Sequence, residues 1–154
     1  IISGGQTGAD QAALDAAIEM GIPHGGWIPK ERLTEAGPLP DKYALTEMPT
    51  KDYLKRAKQN VLDSDGTVVF SHGDLKGGSK RTVDFAVKIG RPWLHADLAK
   101  NSPEEAAGIL NAWITMHRVS VLNVAGSRAS KDAKIYHRVR TALTLALRTM
   151  KEQL

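Results

Sequence analysis

Apolar residues in this chain fall into two alternating kinds of segment, short continuous runs and longer stretches in which they recur every three or four positions. The first kind reads as buried strands and the second as amphipathic helices. Ile1-Ile2 leads into Ser3-Gly4-Gly5-Gln6-Thr7-Gly8, a strand ending in a glycine-rich turn, and since two residues are few for a core strand its start is expected upstream of Ile1. Leu14, Ala17 and Ile18 keep helical spacing and Gly21 stands as a C′ stop, which predicts a helix over residues 9–20 with Thr7 and Asp10 in capping-box spacing at its start. Pro23 to Trp27 predicts a second short strand, residues 28–43 a loop, and Tyr43 to Met48 a third strand. Leu54, Ala57 and Val61 mark a helix that Thr50 would cap. Gly66 to Ser71 is the clearest strand, continuous and β-branched as in a parallel sheet covered on both faces. His72-Gly73-Asp74-Leu75-Lys76-Gly77-Gly78-Ser79 follows it, then a helix with Val83, Ala86 and Val87 on one face that stops at Gly90. Pro92 to Asp97 predicts a fifth strand. Ser102-Pro103-Glu104-Glu105 joins an N-cap, a proline at the first helical position and a glutamate at the third, ahead of the stripe Ala106, Leu110, Trp113 and His117. Val119 to Val124 predicts the last strand, Ala125 to Lys131 a polar turn, and Ile135, Val139, Ala142, Ala146 and Met150 one face of a closing helix.

Strands alternating with helices imply βαβ crossovers and a mainly parallel sheet with helices on both faces. The prediction is an α/β fold, a three-layer Rossmann-like sandwich over residues 1–154 as a single domain, with sheet order 3-2-1-4-5-6. In that order the first and fourth strands adjoin at the switch point, and the turns at residues 3–8 and 72–79 face each other across the ligand crevice.

Composition narrows the chemistry. The chain has no cysteine, which removes disulfides, thiolate nucleophiles and thiolate metal sites. Its five histidines fall in separate elements, so no histidine metal cluster is expected. Lys and Arg exceed Asp and Glu by 21 − 17 = +4, compatible with an anionic ligand without requiring one. Aromatic residues make up 5% and no basic stripe interleaves with them, so nucleic acid is not an expected partner. No apolar run approaches the roughly 20 residues of a membrane-spanning helix, and a cytoplasmic location is the expectation.

The glycine turns carry the candidate chemistry, because a turn that brings backbone close to a helix N-terminus presents unpaired N–H groups to an oxyanion. The first, Gly4, Gly5, Gln6, Thr7 and Gly8, lacks the G-x-G-x-x-G spacing of a dinucleotide site. The second runs from Gly73 through Gly77 and Gly78 to Ser79 and Lys80; it has a P-loop frame with the final Lys-Ser inverted, which moves ammonium and hydroxyl off their phosphate and Mg²⁺ positions. A general anion cradle remains: these amides, the hydroxyls of Thr7, Ser79 and Thr82, the third turn Gly126-Ser127-Arg128, and the cations Lys76, Lys80, Arg81 and Arg128. Asp10 could orient a ligand hydroxyl or ring nitrogen, or serve only as a cap. Trp27 could stack on a flat heterocycle, whereas Trp93 and Trp113 read as core. His72 could act as acid, base or donor, or be a hydrogen-bonded structural histidine. Spacing alone assigns no catalytic residue.

The strings Ile2 to Ala13, Gly25-Gly26-Trp27-Ile28-Pro29-Lys30, Asp63-Ser64-Asp65-Gly66-Thr67 and Asn123-Val124-Ala125-Gly126-Ser127-Arg128 closely resemble the molybdenum carrier family over nearly the whole chain. That family looks like a branch of the Rossmann-like group containing lysine-decarboxylase-like, cytokinin-activating phosphoribohydrolases. The resemblance implies a non-enzymatic carrier of molybdenum cofactor, a pterin with a terminal phosphate and a dithiolene-bound metal oxide. It implies a phosphate on the glycine turns and cations, the pterin on Asp10 or Gln6, and Trp27 against its flat face. The expected partners are this small anionic ligand, molybdoenzymes that receive it, and further copies of the chain in a homo-oligomer. The phosphoribohydrolases carry P-G-G-x-G-T-x-x-E; here the stretch from Lys76 to Thr82 is followed by Phe85 where the acid belongs, with Asp84 one position off. A nucleotide-binding sensor or nucleotide-processing hydrolase using the same crevice is the alternative.

Overall fold

In the computed structural model, which describes residues 1–153, strand β6 (Gly66–Ser71) is buried along its whole length and the other elements are arranged around it. In chain order the elements are β1 (Ile2–Ser3), α1 (Ala9–Glu19), β2 (Trp27–Ile28), β3 (Leu33–Thr34), β4 (Gly37–Pro38), β5 (Thr46–Glu47), α2 (Tyr53–Leu62), β6, α3 (Gly77–Ile89), β7 (Trp93–Asp97), α4 (Pro103–His117), β8 (Leu122–Gly126) and α5 (Ile135–Glu152). β6 pairs in parallel with β7 on one side and β8 on the other, and β8 pairs in parallel with β1. A parallel bridge between Ile2 and Gly25 carries the pairing on toward β2, which itself pairs in parallel with β5.

The fold class is therefore as predicted, a mainly parallel α/β sandwich, but the strand order is not. In the numbering of the predicted strands it runs 3-2-1-6-4-5, with the last strand inserted between the first and the fourth. The slot beside β6 is covered on both faces, and Leu122, Asn123 and Val124 of β8 are all buried there. Val68 and Phe70 of β6 join Val124 in one core with apolar residues of α1, α4 and α5, while α2 and α3 pack together as a separate pair.

Local chemistry departs from the sequence pattern in several places. Ser102 and Glu105 form the predicted capping box of α4, and Gly90 ends α3 in the left-handed conformation. α1 instead starts at Gly8 without a side-chain cap, and Asp52, not Thr50, caps α2 by accepting from the Leu54 amide at 2.8 Å. Residues 28–43 are more than a loop: a 3-10 turn at Lys30–Arg32 leads into the antiparallel hairpin β3–β4. The Arg32 guanidinium holds that segment by donating to the carbonyls of Leu39, Pro40, Tyr43 and Leu45, while Leu39 and Tyr43 pack with Leu14 and Ile28 in a small second core. Trp113 is core as expected, but Trp93 is 42% exposed because β7 is the outer strand of the sheet.

Gly8 has φ +84°, and a Cβ there would meet the Ser127 carbonyl oxygen at 2.4 Å; a Cβ on Gly78 would meet nothing within 4 Å. Gly8→Ala should lower unfolding free energy by roughly 2–4 kcal/mol, whereas Gly78→Ala should change it by less than about 1 kcal/mol, both read by urea denaturation. Equal losses would mean that the second turn is packed as tightly as the first.

Candidate functional site

β1 ends at Ser3, and the first glycine turn that follows spends its donors inside the protein. The Gly5 amide donates to Ser3 Oγ, the Gln6 amide to Asp10 Oδ2, the Thr7 amide to Gln6 Oε1 and the Ala9 amide to the Ser127 carbonyl. Thr7 and Asp10 form no capping box; the Thr7 hydroxyl donates instead to Glu35 at the tip of the β3–β4 hairpin. Gly4 leaves the space in which Arg56 of α2 lies, since a Cβ there would sit 1.6 Å from Arg56 Nη1.

That space lets Arg56 reach Asp10, with Nη1 3.3 Å from Oδ2 and side chains only 12% and 6% exposed. Burial pushes the Asp10 carboxyl up to about 6, with the Arg56 charge and the Gln6 amide pulling the other way without offsetting it. Around the pair, Gly4, Asn60, Thr82 and Asn123 line a cleft of about 20 Å³, the size of one water. Asp10 is thus enclosed behind Arg56 and cannot reach a pterin or a base in this conformation. Arg56 Nε is buried there without a partner.

The strand order sets where the helices part at the carboxyl ends of the strands. α1 and α5 pack on one face and α3 with α2 on the other, so the helices diverge between β8 and β6, and not between the first and fourth strands as expected. His72, the residue after β6, meets Asp132 of the turn after β8: Nδ1 donates to Oδ2 at 2.5 Å, while Nε2 is buried without a partner. The Gly73 amide donates to Asp97 Oδ1 at 2.8 Å, and these bonds fix the path of the second turn. α3 then begins without a side-chain cap, and among the described residues the amides of Gly77, Gly78 and Ser79 have no protein acceptor. Thr82 is buried and donates to the Gly78 carbonyl at 3.0 Å, so its hydroxyl braces the first turn of α3. Lys76, Lys80 and Arg81 are exposed around that end. Free amides, a helix dipole and cations together suit an oxyanion.

The third turn joins the first more than the second. Gly126 has φ +156° and passes over the Phe70 carbonyl, and Ser127 caps α1 with its own carbonyl while its amide donates to Phe70. Arg128 stands 3.8 Å from Glu35 beside Thr7. Trp27 lies elsewhere: its indole donates to Asp63 Oδ2 at 2.6 Å, and Asn60 bonds its backbone on both sides. Asp63 follows α2 and precedes β6, so the indole N–H is tied to the end of α2. A larger hollow of about 370 Å³ lies along α5 and contains Glu19, His137, Arg140 and Arg148, but none of the glycine turns. Among the described residues no three of His, Cys, Asp and Glu stand together as a metal site. Glu35, Arg56 and Asp132 escape sequence reasoning, because each meets its partner only through tertiary contact.

The Asp10 environment fixes a sign. A carboxyl near 3.9 in the unfolded chain and raised by the fold contributes stability that is complete below about pH 4 and is lost as pH rises through about 6. The stability difference between wild type and Asp10→Asn, followed by urea unfolding, should therefore shrink by about 2 kcal/mol from pH 4 to 7, at ~1.4 kcal/mol per pKa unit. A difference that stays flat or grows with pH would show that Arg56 keeps the carboxylate ionised in the fold.

With this geometry in hand, comparison with known proteins places the chain. No curated protein matches it. The chain is similar to the crystal structure described as "Putative molybdenum carrier protein" from Syntrophus aciditrophicus SB, with 55% sequence identity and a TM-score of 0.93 over 95% of this chain and 92% of that one. Residues 1–147 match the family model of the circularly permutated YpsA SLOG family, cpYpsA. The chain belongs to the circularly permutated YpsA SLOG family.

Proposed function

We propose that this protein binds and carries molybdenum cofactor, holding the terminal phosphate on the open start of α3 and the pterin in the crevice between β6 and β8. The observation that carries the reading is that start of α3: Gly77, Gly78 and Ser79 offer free amides at the point where the helices diverge, in a fold similar to one described as a molybdenum carrier. Lys76 and Lys80 would add charge to the phosphate. His72, held by Asp132, would offer Nε2 to a polar edge of the pterin, satisfying a nitrogen that is otherwise buried without a partner. Ser127 and Arg128 would form the opposite rim.

The cofactor is cargo in this reading. The chain contains no cysteine, so the metal keeps its dithiolene and oxygen ligands and gains no protein thiolate that would have to be broken on transfer to a molybdoenzyme. In the first glycine turn the amides of Gly5, Gln6 and Thr7 are already used and take no part.

The test is an anaerobic thermal-shift and titration series with molybdenum cofactor, molybdate, tungstate, and adenine and guanine nucleotides, on the wild type and on Gly78→Leu. The cofactor should raise the melting temperature where nucleotides do not, corresponding to about 2.7 kcal/mol at a hundredfold excess over Kd, and Gly78→Leu should abolish that shift. A shift produced only by nucleotides would replace the carrier reading with a nucleotide-binding one. Turnover assays on His72→Ala would then be the next measurement.

A further inference from the structure

The β3–β4 hairpin carries a carboxylate to the rim of the crevice opposite α3. Both oxygens of Glu35 are engaged: the Thr7 hydroxyl and the Ser130 amide, at 3.1 Å, donate to Oε1, and the Ser130 hydroxyl donates to Oε2 at 2.5 Å. Arg128 Nε stands 3.8 Å from Oε2. The Glu35 amide donates to Gln6 Oε1 at 3.0 Å, the same oxygen that accepts from the Thr7 amide, so the hairpin tip is keyed to the first glycine turn. The donors come from the turns after β1 and β8, and Ser130 is 95 residues away in sequence. Two hydroxyls, an amide and a guanidinium form the donor set that an oxyanion requires. Partial burial pushes the Glu35 carboxyl up, but the bonds from Ser130 and Thr7 and the Arg128 charge outweigh it and hold the group below the usual carboxylate range.

The hairpin is built so that its tip can leave while its base stays. Each of its strands has two residues, and Glu35 and Ala36 at the tip are exposed. The base is fixed by Arg32, with its guanidinium bonded to several carbonyls, and by Leu39, which is buried. Gly37, directly after the tip, has φ +95°, a conformation that glycine adopts freely. The Arg128 charge at 3.8 Å contributes little, so Glu35 is held mainly by three neutral donors from Thr7 and Ser130, which a more highly charged anion with four oxygens can also engage.

We propose that Thr7, Arg128 and Ser130 form an oxyanion-binding site that Glu35 fills as an internal surrogate, and that an external tetrahedral oxyanion displaces Glu35 and frees the β3–β4 hairpin. The ligand class is phosphate, molybdate or a terminal phosphate group. The proposal goes beyond cofactor carriage at α3 and depends on Thr7, Glu35 and Ser130, which that reading does not use, sharing only Arg128 with it.

Isothermal titration with inorganic phosphate and with molybdate tests it, on the wild type, Glu35→Ala, Glu35→Gln and a Glu35→Ala/Arg128→Ala/Ser130→Ala variant, each checked for fold by circular dichroism. Removing the surrogate should tighten binding at least tenfold, and the triple variant should lose that gain. In the wild type, saturating phosphate should speed amide exchange at residues 35–37. Binding that is unchanged or weaker in Glu35→Ala overturns the proposal, as does a gain that survives in the triple variant. Should Glu35→Ala fail to fold, Glu35→Gln keeps the size, removes the charge and decides the question in the same way. The tightening caused by Glu35→Ala should be the same in a Gly78→Leu background, so a failed cofactor assay and a failed oxyanion assay are told apart.

Discussion

β8 pairs with β1 along one edge and with β6 along the other, and the position of every turn on the rim follows from that placement. Because β8 lies between them, the turn after it presses on the start of α1, where the Ser127 carbonyl takes the Ala9 amide and comes so close to Gly8 that no side chain fits. The same turn reaches the other way to His72 through Asp132. One buried strand thus closes the glycine turn on one side of it and leaves the turn on its other side open. The difference between two similar-looking sequences is which of their groups the turn after β8 meets, the Ala9 amide at the start of α1 on one side and the His72 ring on the other.

Charge is handled in two distinct ways on this rim. Asp10 and Arg56 are almost fully buried, and the desolvation of the carboxyl exceeds the help it receives from the guanidinium, so the pair closes the cleft at a cost in solvation. Glu35 lies near the surface, where hydroxyls and an amide satisfy it and the nearby Arg128 adds a weaker attraction. The first arrangement is hard to open because each partner would be left buried alone. The second leaves its carboxylate near the surface, held by neutral donors. Together with the cations around α3, these groups make the carboxyl ends of the strands a place where anions are either already present or can be accommodated.

Much of the fold is legible along the chain because its signals are local. The β-branched run of β6, the stripes of α3, α4 and α5, the capping box at Ser102 and the stop at Gly90 each depend on neighbours a few residues apart. The amides of the second turn are legible for the same reason, since a glycine run before a helical stripe already implies an exposed helix start. Less regular segments are harder to read. Asp52 displaces Thr50 as a cap within two residues, and the hairpin hidden in residues 28–43 depends on one arginine collecting carbonyls from well beyond its own turn.

By itself the sequence determined the alternation of strands and helices, the α/β class and the presence of glycine turns suited to anions, since hydrophobic period and backbone freedom are properties of contiguous residues. Tertiary structure decided the strand order, and through it which turn keeps its donors, which carboxylate is buried and where Trp27 points. Gly4–Gly8 and Gly77–Ser79 have similar local chemistry, but the amides of Gly5, Gln6 and Thr7 are taken by the side chains of Ser3, Asp10 and Gln6, and those of Gly77, Gly78 and Ser79 meet no such acceptor. The reason is physical: a hydrogen-bond donor is available to a ligand only if no other group reaches it first, and whether a side chain turns back onto the backbone beside it, as Ser3 and Asp10 do, is settled by the packing of the folded turn.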